Sequence, residues 1–502
     1  IIAYNYGAQK KKRITSTVKF AMIYAMAIMF VGFLVFELIP GPLLSIFHAS
    51  NTMKEMGIPA LRIIAIHYLI CGFCIIGGSA CQALGKAYFS MIVSLMRQLI
   101  VLLPVAYLLS LTGNVNNVWW SFPIAEIVSL FLTVIFMSIT YKKIIKPILI
   151  FVLALILIVA IYFAYVFIAY YRLDDNLQLE VSGSASTNVI DTDTTYRITS
   201  ANLGFGAYSA DFSFFMDGGT ESWAYSKDAV YDNITGSVNA VSTLSGDIML
   251  FQEVDIDSTR SYHVNEEELI IDTLAELGYD SLSYTFAQNY DSPFLMYPLT
   301  QPHGKSKAGL LTTSTFTITD SIRRSLPIEE GFSKFIDLDR CYSKNYIDVE
   351  DGKQLVVYNV HLSAYTTDPS TAENQVIMLN EDMAEELAAG NYIIAGGDMN
   401  KDMLGDSSVY FGSSDITENW AVAFPSDLLD DDFTVVGPLD KDNPVPSCRN
   451  ADSAYSEDSF VLTIDGFIVS SNVEVVESKV LDTEFAYSDH NPVYLDFILQ
   501  SE

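Results

Sequence analysis

Ile393-Ile394-Ala395-Gly396-Gly397-Asp398-Met399-Asn400 is the stretch that decides how the C-terminal part of this chain folds. A short apolar run leads straight into a carboxylate and an amide. Such a run reads as a strand buried on both faces, and it leaves Asp398 at the strand's end. The pattern recurs. Leu355-Val356-Val357-Tyr358 leads into Asn359-Val360-His361, and Ile248-Met249-Leu250-Phe251 leads into Gln252-Glu253. Ser200-Ala201-Asn202, Ile464-Asp465-Gly466 and Ser488-Asp489-His490 complete the set. Polar groups repeatedly placed at strand ends predict one shared mouth above a sheet. Carboxylates, amides and two histidines in one mouth are what metal-assisted phosphoester hydrolysis needs.

The rest of this region alternates strands and helices, which suits one α/β domain of roughly 300 residues. Helices are expected over 226–244, 266–277 and 371–389. Strands are expected over 196–203, 308–319, 335–349, 354–361, 461–469 and 492–499. Residues 402–447, rich in Asp, Pro and Ser, read as loops. Residues 173–194, with Ser-Gly-Ser and Asp-Thr-Asp patches, read as a linker.

Up to Arg172 the chain is a different material. It is mostly apolar, with Glu37, Glu55 and Glu126 as its only acids against 13 Lys and Arg. The whole chain of 502 residues carries 60 acids and 28 bases, net −32, so the part after Arg172 is strongly acidic. Two such halves are not one uniform domain. Apolar spans are expected near 17–40, 57–84, 88–112, 118–140 and 148–171, each long enough to cross a bilayer, which takes roughly 20 residues. A cleavable signal peptide fits poorly, because the first span is long and others follow. Lys10, Lys11, Lys12 and Arg13, then Lys86, then Lys142, Lys143 and Lys146 fall on one side if every span crosses. The positive-inside rule makes that side cytoplasmic. The span over 148–171 then leads outward, and the acidic part is extracytoplasmic. Arg97 and Glu126 come to similar depths on neighbouring spans and are expected to pair.

The six motifs, in this order, resemble the endonuclease/exonuclease/phosphatase superfamily of deoxyribonuclease I-like enzymes. The resemblance covers roughly residues 195–500. It implies a four-layer α/β sandwich, two packed mixed sheets flanked by helices, preceded here by the all-α transmembrane region. Residues 1–146 resemble the end of a multidrug and toxic compound extrusion (MATE) transporter. Tyr4-Asn5-Tyr6-Gly7-Ala8, Ile58-Pro59-Ala60-Leu61-Arg62, Gln82-Ala83-Leu84-Gly85-Lys86 and Trp119-Trp120-Ser121-Phe122-Pro123-Ile124-Ala125-Glu126 carry that likeness. By analogy these are the last four of twelve helices. With Ile1 at its start, the chain reads as a fragment. The expected organisation is therefore partial transporter helices over 1–146, an anchor over 147–172, a linker over 173–194 and the hydrolase domain over 195–502.

The hydrolase resemblance implies roles residue by residue. Glu253 is a hard oxygen ligand suited to Mg2+, with Mn2+ or Ca2+ as substitutes. Asn202 supports it and Asp489 adds a second carboxylate. Asp398 orients or deprotonates the attacking water, and Asn400 contacts the phosphate. His490 acts as base or phosphate contact, and Asp465 fixes its tautomer. His361 protonates the leaving oxygen or stabilises the charged transition state. No His/Cys cluster of zinc spacing is present, which favours magnesium over zinc. The abasic-endonuclease branch has an acid where this chain has Gly204, so a second metal on that side is not expected.

Lys305, Lys307, Arg323, Arg324 and Arg449 are the expected phosphate contacts among scarce bases. Cys341 and Cys448 are the only outer cysteines, and sequence leaves open whether they pair. The expected function is a membrane-anchored, extracytoplasmic, divalent-metal-dependent phosphoesterase. Its substrate is a nucleic acid or a phospholipid or small phosphoester, and its other partner is the bilayer. No obligate protein partner is implied. A strongly acidic surface opposes a polyanion, since nonspecific DNA binding depends on Lys and Arg. The alternatives are a truncated MATE-type antiporter carrying the soluble domain as passenger, or a binding-only domain.

Overall fold

The computed structural model describes every residue except 48–49, 111–114, 141–160, 163, 299, 329–338, 365–368, 413–420 and 502. The chain divides into two compact units, Ile1–Phe163 and Ala164–Glu502.

The first unit is helical. Lys11–Leu38, Ala87–Ser110 and Val115–Thr140 are long and apolar enough to cross a membrane. Met56–Ala65 and Tyr68–Ala83 form a pair bent by 53° that adds one more if it counts as a single span. These match four of the expected spans, with starts shifted by a few residues. Most of the expected span at 148–171, with Lys142, Lys143 and Lys146, lies outside the described residues. Ile14, Val18 and Met22 pack with Phe73, Leu130 and Met137 in the centre of the unit. Arg97 Nη1 meets Glu126 Oε2 at 3.2 Å, as expected of charges inside apolar helices.

The second unit contains two mixed sheets. Its main strands, in chain order, are β1 (Thr195–Asn202), β2 (Ile248–Asp255), β3 (Ser283–Leu295), β4 (Gly304–Ser314), β5 (Ile318–Ser325), β6 (Cys341–Val349), β7 (Gln354–His361), β8 (Tyr392–Asp398), β9 (Phe433–Val436), β10 (Asp465–Ser470), β11 (Val473–Val480) and β12 (Val493–Leu499). One sheet runs β5-β6-β7-β8-β10-β9 and the other β11-β12-β1-β2-β4-β3. Short strands from the expected linker extend both. Leu177–Gln178 pairs with β5, Val181–Gly183 with β3 and Val189–Ile190 with β6. Residues 173–194 are thus built into the sheets, with Ile190 buried in the inter-sheet core and Val181 packed against it.

Alternation explains the layers. Ile248 and Leu250 of β2 meet Leu355 and Val357 of β7 and Ile394 of β8 between the sheets. Met249 and Phe251 face outward onto the helices Lys227–Thr243 and Glu266–Glu276. Val356, Tyr358 and Ile393 face the other way, onto Pro369–Ala388. A strand covered on both faces needs a continuous apolar run, and that is what these three strands have. The result is the expected four-layer sandwich. The helices start where their caps say. The Ser226 side chain accepts from Ala229 N, and Asn265 does the same for Glu268 N ahead of three glutamates in the first turn.

Register then gathers the motifs. β7 and β8 are parallel with His361 opposite Asp398, and β8 and β10 are antiparallel with Asp398 opposite Asp465. β1 and β2 are parallel with Asn202 opposite Gln252. β12 begins opposite Ser200, so Ser488-Asp489-His490 approaches the same end. Gly397 permits this close pairing. A Cβ there would sit 2.0 Å from Val360 O, and its φ of +145° is one that side chains rarely adopt.

Candidate active site

Buried amides hold the two sheets together just beneath the mouth. Gln252 Nε2 donates to Asn359 Oδ1 at 2.8 Å and to Ser200 Oγ at 3.1 Å, while Asn359 Nδ2 donates to Leu311 O at 3.1 Å. These polar groups are satisfied by one another, which is the condition for burying them. They fix the ends of β1, β2 and β7 relative to each other.

At the end of β2 the ladder to β4 slips between Phe251 and Val254, and Glu253 sits at φ 55°. A β-bulge re-aims one side chain at the cost of some strain. Here it carries the Glu253 carboxylate toward Asn202, whose Nδ2 lies 3.4 Å from Glu253 Oε1. Arg260 braces the bulge from behind. It binds Asp255 through Nε and Nη2 at 3.1 and 2.9 Å and lies 3.9 Å over the Phe205 ring.

Asp398 is the centre of the mouth and is buried. Its Oδ1 accepts from Asn400 N at 2.8 Å, and its Oδ2 accepts from Asn202 Nδ2 at 3.0 Å. The same Oδ2 lies 3.5 Å from His361 Nε2 and 3.9 Å from His490 Nε2. Burial pushes its carboxyl up to about 7, against the opposing pull of His490. His490 Nδ1 meets Asp465 Oδ2 at 2.8 Å, and Ser447 Oγ donates to that same oxygen at 2.6 Å. Burial would lower His490, but the Asp465 charge overrides it and holds the imidazolium well above the usual range. Burial pushes His361 well below its usual value, with Arg340 and His490 adding to the effect.

Asp489 lies within electrostatic reach of both His490 and Glu253. Burial raises its carboxyl, His490 and Arg449 pull it down, and the Glu253 charge raises it again. A side chain at position 204 would meet Tyr208 Cδ2 at 2.6 Å and Asp489 Oδ1 at 3.1 Å. There is no room for the acid of the abasic-endonuclease branch, and Gly204 follows from packing as well as from its φ of +51°.

The structure thus brings Asn202, Glu253, His361, Asp398, Asp465, Asp489 and His490 to one end of the sandwich. Asn400 is there too, at φ 48°, but its Nδ2 donates to Leu362 O at 2.9 Å. The expected phosphate contacts fare differently. Arg323 is fully buried and donates to Gln288 O, Ser325 and Asp339. Arg324 pairs with Asp175 and Asp382. The Arg449 guanidinium donates to the carbonyls of Asn450, Ser453, Ser209 and Phe212. No side-chain hydrogen bond or ion pair joins these three to the cluster among the described residues; their guanidiniums are engaged in the fold, and the Arg449 charge still reaches Asp489. Lys305 pairs with Asp257 at 2.6 Å and stays about half exposed, and Lys307 is partly exposed. Cys341 and Cys448 are both free and buried in different clusters, so they form no disulfide.

Sequence reading missed four supports. Ser447 holds Asp465, and the Cys448 Sγ lies 3.7 Å from His490 Nε2. Lys401 is buried with Nζ donating to Ser363 O at 3.1 Å and Asn400 O at 3.0 Å. Burial pushes its amine down to about 8, against the pull of Asp398. Arg340 is buried within electrostatic reach of both His361 and Lys401. The one available signal was Lys401, a cation directly after a strand-end motif.

A family model, Endonuclease/Exonuclease/phosphatase family, matches residues 199–490. The chain belongs to that family. A second model, MatE, matches residues 1–108. Solved structures similar to this chain include an endonuclease/exonuclease/phosphatase from Beutenbergia cavernae DSM 12333, at 16% identity, TM-score 0.42, 61% of this chain and 72% of that one. ANGEL2, a 2',3'-cyclic phosphatase, is similar at 14% identity, TM-score 0.41, 65% of this chain and 99% of that one. TDP2 from C. elegans is similar at 14% identity, TM-score 0.37, 61% of this chain and 76% of that one. None of the curated proteins compared with the chain matches it.

Proposed function

We propose that this family member is a divalent-metal-dependent phosphoesterase, held at a membrane by its apolar N-terminal part with the catalytic unit on the extracytoplasmic side. The observation that carries the reading is the convergence on Asp398 Oδ2 of Asn202, His361 and His490, with Asp465 behind His490. It is a base, a second imidazole and an orienting acid around one reacting position.

The donor set fits a hard cation. Glu253 and Asp489 are carboxylates close enough for the Glu253 charge to raise Asp489, with the Asn202 amide beside Glu253. Oxygen donors of this kind suit Mg2+, Mn2+ or Ca2+. Such an ion, when bound, polarises a phosphoryl oxygen and offsets developing negative charge. The chain's own residues do the rest. Asp398, with a proton affinity near neutrality, accepts a proton from the attacking water. Asn202 and the Asn400 backbone N–H hold its two oxygens in place. Asp465 keeps the His490 Nδ1 proton on its own side, so Nε2 faces the mouth. Burial keeps His361 neutral, so its ring would serve as a hydrogen-bond donor that stabilises the charge developing on the phosphoryl group rather than as a proton source.

A second reading has one observation in its favour. Asp398, Asp465 and His490 offer donor atoms all within 4.8 Å of one another and form a candidate metal cluster themselves. Asp465 Oδ2 already accepts from Ser447 and His490, which leaves it less to give a cation. Titration of the full chain with Mn2+, read by paramagnetic resonance, separates the two. Loss of the tight site in Glu253→Gln with retention in Asp465→Asn supports the first reading. The reverse supports the second.

For substrate, we favour a small or zwitterionic phosphoester over nucleic acid. Arg323, Arg324 and Arg449 are engaged in the fold, and the unit is strongly acidic, so little is left to displace counterions from a polyanion.

A further inference from the structure

The β3–β4 hairpin carries an apolar tip that the catalytic chemistry does not use. β4 runs antiparallel to β2, with Ala308 opposite Asp255, so residues 296–298 and 300–303 between β3 and β4 lie at the same end of the sheet as Glu253. Met296 is 45% exposed and Tyr297 54%. Met216, on the neighbouring loop, is 63% exposed, and Phe215 beside it packs its ring 5.9 Å from Tyr297. Ring contacts lead inward from there through Phe214 to Tyr208, whose phenol feels the charges of Asp489 and Glu253.

The segment that follows the apolar stretch 148–162 docks on this same hairpin. Tyr165 Oη accepts from Phe294 N at 3.1 Å, and Tyr171 donates to Asp291 at 2.6 Å. Ile168 between them is 84% exposed. Tyrosines with an apolar body and a polar tip favour the headgroup layer of a bilayer. A surface that joins such tyrosines, an apolar hairpin tip and the end of an anchor has one solvent that suits all three.

We propose that the β3–β4 tip and residues 165–171 form one face that lies in the interfacial layer of a lipid bilayer, so that the mouth opens beside the membrane. This rests on the reading of the preceding span as an anchor. An ester held in the bilayer then reaches Glu253 and Asp398 without leaving it.

The test uses the full chain in nanodiscs of phosphatidylcholine. A nitroxide is attached in turn to Met296→Cys, Ile168→Cys and Val476→Cys; the five native cysteines are buried. Val476 is 50% exposed on β11, at the opposite edge of the sheet. Power saturation with oxygen and with a water-soluble nickel chelate reports depth, and hydrolysis of a soluble phosphodiester is followed in the same samples. Oxygen dominance at 296 and 168, with nickel dominance at 476, supports the proposal. Nickel dominance at 296 with oxygen dominance at 168 overturns the face but leaves the anchor. Nickel dominance at both overturns face and anchor together. Hydrolysis of the soluble ester reads the enzyme separately from either.

Discussion

Replacing Asp398 with Asn separates catalysis from stability in opposite directions. In the folded chain burial pushes this carboxyl from 3.8 up to about 7. A group whose folded value is raised gives its full stability below the unfolded value and loses it as pH rises through the folded one. The wild-type chain therefore loses stability between about pH 4 and pH 7 as Asp398 is forced to ionise. Three pH units at roughly 1.4 kcal/mol each put the cost near 4 kcal/mol above neutrality. Asn keeps the size and removes the charge. It retains an acceptor for Asn400 N but loses the one for Asn202 Nδ2, worth about 1 kcal/mol. The net gain in Asp398→Asn is about 3 kcal/mol at pH 8 and well under half of that at pH 5. The assay is chemical unfolding of the full chain in detergent with EDTA, read by near-ultraviolet circular dichroism at both pH values. Hydrolysis is lost throughout. Equal stability changes at pH 5 and pH 8, or a less stable variant at pH 8, would refute the reasoning.

Three further outcomes follow from the same geometry. Asp465→Asn removes the charge that holds His490 protonated, so the alkaline limb of the pH–rate profile moves to lower pH while the maximal rate falls roughly 10²-fold or more. Lys401→Met frees the loops at Ser363 and Asn400; steady-state kinetics should show kcat down about tenfold with KM nearly unchanged, the pattern of a group that positions the reacting set. Alkylation under denaturing, non-reducing conditions should label Cys341 and Cys448 in every molecule, and a mass lacking two labels would contradict their separation.

Much of the site was legible because strand-end chemistry is written locally. Glu253, His361 and Asp398 each follow an apolar run, and the run itself announces a doubly covered strand. Pairing was not legible. Nothing local to Asp398 says that His361 stands opposite it on one side and Asp465 on the other. The arginines show the same limit. Arg323 and Arg324 are neighbours on β5, so alternation sends one between the sheets to Gln288 and the other to Asp382 on the outer helix. Their charges suggested phosphate, but neighbouring strands had already claimed them. Ser447 and Cys448 were hidden for another reason. They belong to a polar, loop-rich stretch whose value is only to deliver a hydroxyl to Asp465 and a strand bridge to His490. Residues 173–194 read as linker because their strands are two or three residues long and lie at sheet margins.

Hydrolysis by the purified full chain, with Mg2+, Mn2+ or EDTA, is the most direct measurement. The panel is sphingomyelin, phosphatidylcholine, a chromogenic phosphodiester, plasmid DNA and RNA, with Asp398→Ala and His490→Ala beside the wild type. The account predicts metal-dependent cleavage of at least one ester that falls roughly 10²- to 10⁴-fold in both variants. Cleavage that survives EDTA, or that both variants retain, would contradict it, as would no turnover from folded protein with metal bound.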